Sequence, residues 1–134
     1  MLNLKKIILG AICVVVFTGA IFGVKYLISI QKYKEIIKEI KISSVDLSKV
    51  SNGTYTGSCD ALAVAATVSV TVKDNKIVKI TILKHKNEKG KPAEIITGKV
   101  IKAQSLQVDT VTGATNSSKV ILKSIENALN SGKS

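Results

Sequence analysis

The chain has no arginine and no tryptophan, one proline, one histidine and two cysteines. The missing arginine bears first on partners. All 20 basic residues are lysine, set against 9 acidic ones for a net charge of +11. Phosphate and base recognition favour the planar fork of arginine, and aromatics at 4% offer no stacking platform for single strands. Nucleic acid is therefore not an expected partner. The lysines read as a solvated surface, with anionic lipid or cell-wall polymer as the next class it suits. The single histidine, His85, has no ligand-type neighbours at metal-binding spacing and reads as exposed in a polar loop, so no metal site is expected. Cys13 lies in an apolar run and Cys59 in the later domain, so no disulfide framework follows. Neither has the histidine partner that thiol catalysis needs.

Ile7 to Val24 carries no charge. At about 1.5 Å per residue it spans about 27 Å, close to the hydrocarbon thickness of a bilayer. Lys5 and Lys6 precede it, which favours a cytoplasmic N-terminus and an extracytoplasmic domain. A cleaved signal peptide is the rival, with Thr18-Gly19-Ala20 as its cleavage site. The anchor is the preferred reading; under either one the rest of the chain is exported. Residues 1–30 are thus read as a single-pass cell-membrane anchor with a short cytoplasmic tail. Residues 31–52 read as a juxtamembrane helix, lying on the membrane surface or packed on the domain, and a linker. In the first part Tyr33, Ile36, Ile37 and Ile40 recur at helical spacing; in the second, 43–52, polar residues dominate.

About 80 residues remain, 53–134, enough for one small domain with a modest core. Gly53–Cys59 reads as a strand. Val64, Ala66, Val68, Val70 and Val72 alternate with polar residues, as on a half-buried strand. Asp74-Asn75 supplies a turn, after which Val78, Ile80 and Ile82 resume the alternation. Lys84 to Lys91 is read as a polar loop, and Pro92 as the first residue of a helix with Ile96, Val100 and Ala103 on one face. Gly98 within it is read as a mark of close packing. A last helix, about Ser117 to Asn130, presents Ile121, Leu122, Ile125, Ala128 and Leu129. The expected class is α+β: a small antiparallel sheet with helices on one face, preceded by an N-terminal transmembrane helix.

Between the two domain helices runs Val108-Asp109-Thr110-Val111-Thr112-Gly113-Ala114-Thr115-Asn116-Ser117-Ser118. Hydroxyls and small residues dominate it, and it opens into a helix. Helix N-termini present unpaired N–H groups and positive partial charge, which suit a phosphate. Gly113 allows a tight turn and close approach of a ligand. On the residues alone a plainer reading also stands, in which Ser117 or Ser118 caps the helix and Gly113 makes the turn.

The pattern Asp-x-x-Thr-Gly-Ala-Thr, met by Asp109, Thr112, Gly113, Ala114 and Thr115, resembles the flavinylation motif of the FMN-binding domain family. That domain also occurs in subunits of the sodium-pumping NADH:quinone reductase and related electron-transport complexes. The resemblance extends to Gly53-Thr-Tyr-Thr-Gly57, the strand around Val68–Val72, Lys84-His-Lys-Asn87 and Gly90-Lys-Pro-Ala-Glu94. It covers about Gly53 to Leu129. Thr110 departs from it, standing where family members often carry Gly or Ala.

The resemblance implies a covalent FMN joined through its phosphate to the Thr115 hydroxyl by a separate flavin transferase that uses FAD and a divalent cation. Asp109 would serve recognition by the transferase or position the acceptor. Thr112, Gly113 and Ala114 would shape the loop, with Asn116 and Ser117 completing the cofactor-binding set; Thr112 is an alternative acceptor, and a flavin contact is the lesser alternative to the exposed reading of His85. No residue is assigned a catalytic role. The implied function is an extracytoplasmic electron-transfer carrier serving redox partner proteins or quinone-linked donors. The alternatives are a direct reductase of a small acceptor and a non-redox lysine-rich surface-binding or assembly module.

Overall fold

The computed structural model describes residues 3–87 and 90–133. Its elements are α1 (Leu4–Glu39), β1 (Gly53–Asp60), β2 (Ala65–Lys73), β3 (Lys76–Lys86), α2 (Ile96–Ala103) and α3 (Thr115–Ser131), with 3-10 turns at Leu47–Lys49 and Lys91–Ile95. The chain forms two units, one ending at Glu35 and one beginning at Ile36.

The first unit is helix. Its apolar side chains, Phe17, Val15 and Leu27 among them, are exposed. Bare apolar surface on this scale is unfavourable in water and suits lipid. Among the described residues α1 is the helix long and apolar enough to cross a membrane. The uncharged run and the stretch after it form this one continuous helix, because nothing between them breaks the backbone pattern.

The second unit is built on a three-stranded antiparallel sheet in the order β1-β2-β3. β2 alternates as its sequence requires. Ala66, Val68, Val70 and Val72 are buried, while Thr67, Ser69 and Thr71 lie on the other face. Against the buried face packs α3, whose Val120, Ile121, Leu122, Ile125, Ala128 and Leu129 are all buried. Each such Val, Ile or Leu contributes about 1.5–3 kcal/mol on leaving water. Gly57 lets α3 approach β1, since a Cβ there would run into the Ser124 and Ala128 backbone.

The third strand departs from the expected alternation. Val72 pairs with Ile77 and Thr71 with Lys79, so one residue of β3 is extra, and a second shift follows at Thr67/Val68. Each shift moves the following side chains to the other phase. Ile77 is therefore buried at 2% exposure and Val78 faces out at 51%. β3 is an edge strand, and Gln104 covers part of that edge. Its Oε1 accepts from the Ile77 N–H at 2.7 Å and its Nε2 donates to the Ile77 carbonyl at 2.8 Å. Gln104 holds this position in the left-handed conformation that ends α2.

Three further expectations change. Pro92 begins a 3-10 turn, and α2 starts at Ile96; Ile96 and Val100 are buried but Ala103, at the helix end, is exposed. Gly98 is not a packing contact, since a Cβ there would meet open space. Residues 36–52 belong with the folded unit: Ile37 and Val50 are buried, the Ser51 N–H donates to the Gly132 carbonyl, and Gln107 donates to the Ile42 carbonyl. Ile37 belongs to the apolar stripe of the helix; polar composition hid Val50.

Candidate cofactor site

The loop from Leu106 to Ala114 leads from α2 to the start of α3. Leu106 is buried and fixes one end of it. Gly113 has φ +80, a conformation that glycine tolerates and other residues rarely adopt, and a Cβ there would meet nothing within 4 Å. The Ala114 N–H donates to the Val111 carbonyl at 2.9 Å, closing a turn over Thr112 and Gly113. The helix begins at Thr115, two residues before the expected start.

Neither Ser117 nor Ser118 is the cap. Ala114 holds the N-cap position, and it has no side-chain hydrogen bond to give. A helix N-terminus carries positive partial charge, and here the residue at the cap makes no side-chain hydrogen bond to it. Ser118 has a different role. Fully buried, its Oγ accepts from the Val111 N–H at 3.0 Å and donates to the Ala114 carbonyl at 2.8 Å. It is a strut between the loop and the helix that follows. The sequence marks it only as a serine one turn after Ala114.

The expected site residues divide by exposure. Asp109, Thr112, Gly113, Thr115 and Asn116 are exposed, whereas Ala114 and Ser117 are buried. Ala114, at 6% exposure, fits because a larger side chain would have to displace the core beneath the turn. Ser117 packs against Gly90, where a Cβ would collide with its side chain. The exposed residues form the surface of the loop, and Thr115 stands at the helix start with its side chain outward. The open cleft of about 580 Å³ lined by Ile40, Cys59, Lys123 and Asn127 includes none of them.

His85 is not in a polar loop. β3 continues through Lys86, and His85 pairs with Ala66 on the buried side of the sheet. Its side chain is 2% exposed, and Nδ1 lies 3.1 Å from Oε1 of Glu94. Asn87 Nδ2 approaches the same nitrogen at 3.4 Å. Nε2 is buried with no hydrogen-bond partner among the described residues. An unmet buried nitrogen costs about 1–3 kcal/mol. Nothing in the sequence links His85 to Glu94, which lies on the far side of a turn. Glu88 and Lys89, within the expected polar loop, lie outside the described residues.

Comparison with curated proteins gives no match. Comparison with family models gives one: the FMN-binding domain matches residues 62–130. The match takes in β2, β3, α2, the loop and nearly all of α3, more than half of the chain. The phosphate-suited start of α3 and this match together establish that the chain belongs to the FMN-binding domain family, with FMN as its cofactor, on a chain that also carries a membrane-compatible N-terminal helix.

Proposed function

We propose that the protein is a membrane-tethered electron carrier whose FMN is bound covalently through its phosphate to Thr115 Oγ, on the extracytoplasmic side. The observation that carries this reading is the position of Thr115. It is the first residue of α3, exposed, inside the FMN-binding match and next to Ala114, whose small side chain makes no cap bond.

The residues present fit an FMN phosphate. The N-terminus of α3, where Ala114 makes no side-chain cap bond, presents positive partial charge to an anion. The space above Gly113 is open, and the turn through Thr112 and Gly113 is held by Ser118. Attachment is a phosphoryl transfer. Thr115 Oγ forms a bond to the FMN-side phosphorus of FAD while the bond to the bridging oxygen breaks. AMP leaves, and the hydroxyl proton passes to a base of the transferase or to water. Asp109, exposed on the loop, is available to that transferase. When bound, FMN supplies one- and two-electron chemistry.

A covalent link accounts for an exposed site. Thr115 is exposed, and an exported protein would lose a freely dissociating flavin. The link removes that loss without a deep pocket. The Lys5–Lys6 pair before the apolar helix supports an outward domain by the charge rule for membrane topology.

Co-expression with a flavin transferase, followed by a denaturing gel viewed for flavin fluorescence, tests this. The wild type is expected to give a fluorescent band and Thr115→Val none. A band that survives in Thr115→Val moves the link elsewhere, with Thr112 the next hydroxyl to substitute. A dark wild-type band beside a competent transferase refutes covalent attachment.

A further inference from the structure

We propose that His85 is a cofactor-binding residue whose Nε2 accepts a hydrogen bond from a ribityl hydroxyl of the FMN carried on Thr115. The inference rests on the Thr115 assignment above and extends it to a residue outside the motif.

The protonation pattern comes first. A carboxylate only accepts hydrogen bonds, so Nδ1, 3.1 Å from Glu94 Oε1, carries the ring proton. In the neutral ring Nε2 is then an acceptor. It is buried and has no partner among the described residues. A carboxylate that fixes the tautomer of a histidine also fixes the direction of its free nitrogen, the arrangement by which histidines are held toward a ligand.

The location comes second. His85 lies on the sheet face that α3 covers, in register with buried Ala66. Glu94 reaches it from the 3-10 turn at Lys91–Ile95, and Gly90 just before that turn packs on Ser117 in the first turn of α3. The ring is thus enclosed where the end of β3, the 91–95 turn and the start of α3 converge. Thr115 begins the same helix turn.

The chemistry comes third. The FMN phosphate, once esterified to Thr115, has acceptor oxygens and no donor at neutral pH. It cannot satisfy a nitrogen that accepts. The ribityl hydroxyls are the donors nearest the tether along the covalent chain, so they are the groups that match. Surface lysines could not serve in place of His85, since an ammonium has no lone pair to offer.

The test uses the absence of any second histidine, so imidazole nitrogen resonances come from one residue. Full-length chain in detergent micelles, labelled with nitrogen-15, is treated with flavin transferase, FAD and magnesium. Thr115→Val treated alike serves as the flavin-free reference. The Nε2 resonance is expected to shift upfield in the wild type relative to the reference while Nδ1 stays in place. In parallel, His85→Gln, which keeps an accepting oxygen, retains the visible circular dichroism of the flavin, and His85→Leu loses it with the covalent band intact. An unshifted Nε2 in a sample that shows a fluorescent band on a denaturing gel overturns the proposal while leaving the Thr115 link standing. No band in the wild type overturns the link itself, and the proposal with it. If His85→Leu does not fold, the resonance comparison decides alone.

Discussion

Replacing Gly57 with alanine tests the packing that seats α3 on the sheet. The added Cβ would overlap the Ser124 carbonyl oxygen and the Ala128 nitrogen and stand 2.8 Å from the Ala128 Cα, against ordinary contacts of 3.4–4 Å. All three are backbone atoms, so no side-chain rotation relieves the overlap; either α3 or β1 has to move. Overpacking of this kind costs about 1–3 kcal/mol. A retreat on the order of 1 Å also forfeits a quarter to a half of each dispersion contact along the seam, which includes Val68, Ile121 and Ile125. That loss is part of the same figure, so the expected cost is about 1–3 kcal/mol, a large share of the stability of a small domain. Pulse proteolysis across a urea series, on full-length protein in detergent, reads the folded fraction. With a slope of about 1 kcal/mol per molar urea, the midpoint should fall by about 1–3 M, or the variant should be unfolded without urea. Gly98→Ala is the control. Its Cβ meets nothing within 4 Å, and alanine in a helix interior is better than glycine by about 0.5–1 kcal/mol. The midpoint should rise. If the two variants changed stability alike, close approach at Gly57 would not be what seats α3.

Other substitutions probe the loop, the edge and the titrating groups. Ser118→Ala removes both bonds of the strut and should cost about 1–3 kcal/mol; because the turn over Gly113 loosens, flavin attachment should also slow, read as band intensity against time. Gln104→Ala exposes the Ile77 edge of β3 and should speed amide exchange at Ile77 before it affects strands β1 and β2. The bond from the Ser48 hydroxyl, then that from the Ser48 N–H, lowers the Asp46 carboxyl below its usual 3.8. A depressed acid contributes stability above its unfolded value and loses it as pH falls, so Asp46→Asn should be destabilising at neutral pH and converge on wild type below about pH 4. Burial, the largest cause, raises the Cys59 thiol, with Lys123 opposing; alkylation of Cys59 should be slower than that of a free thiol at pH 8 and should recover in denaturant.

What could be read in the sequence followed from short-range rules. The β2 alternation, the α3 stripe and the glycine turn before α3 each depend on residues within a few positions, and each stands where its pattern put it. Val78 failed because a bulge is a relation between two strands: nothing inside Lys76–Lys86 states that β2 will skip a partner after Val72. Residues 36–52 failed because burial there rests on two anchors, Ile37 and Val50, whose partners lie far along the chain. His85 combines both difficulties. Its face is set by the register shifts of β3, and its partner Glu94 comes from beyond a turn. The same two facts give it an interest that a loop histidine lacks. Had the phase of Ile80 and Ile82 run on unbroken, this side chain would have turned the other way, toward water, where an unpaired nitrogen costs nothing. The second shift restores the phase of Ile77 and places the chain's one imidazole under the helix that begins at Thr115. The cofactor motif is thus legible as a string of residues, whereas the nitrogen proposed to complete its site exists only in the folded sheet.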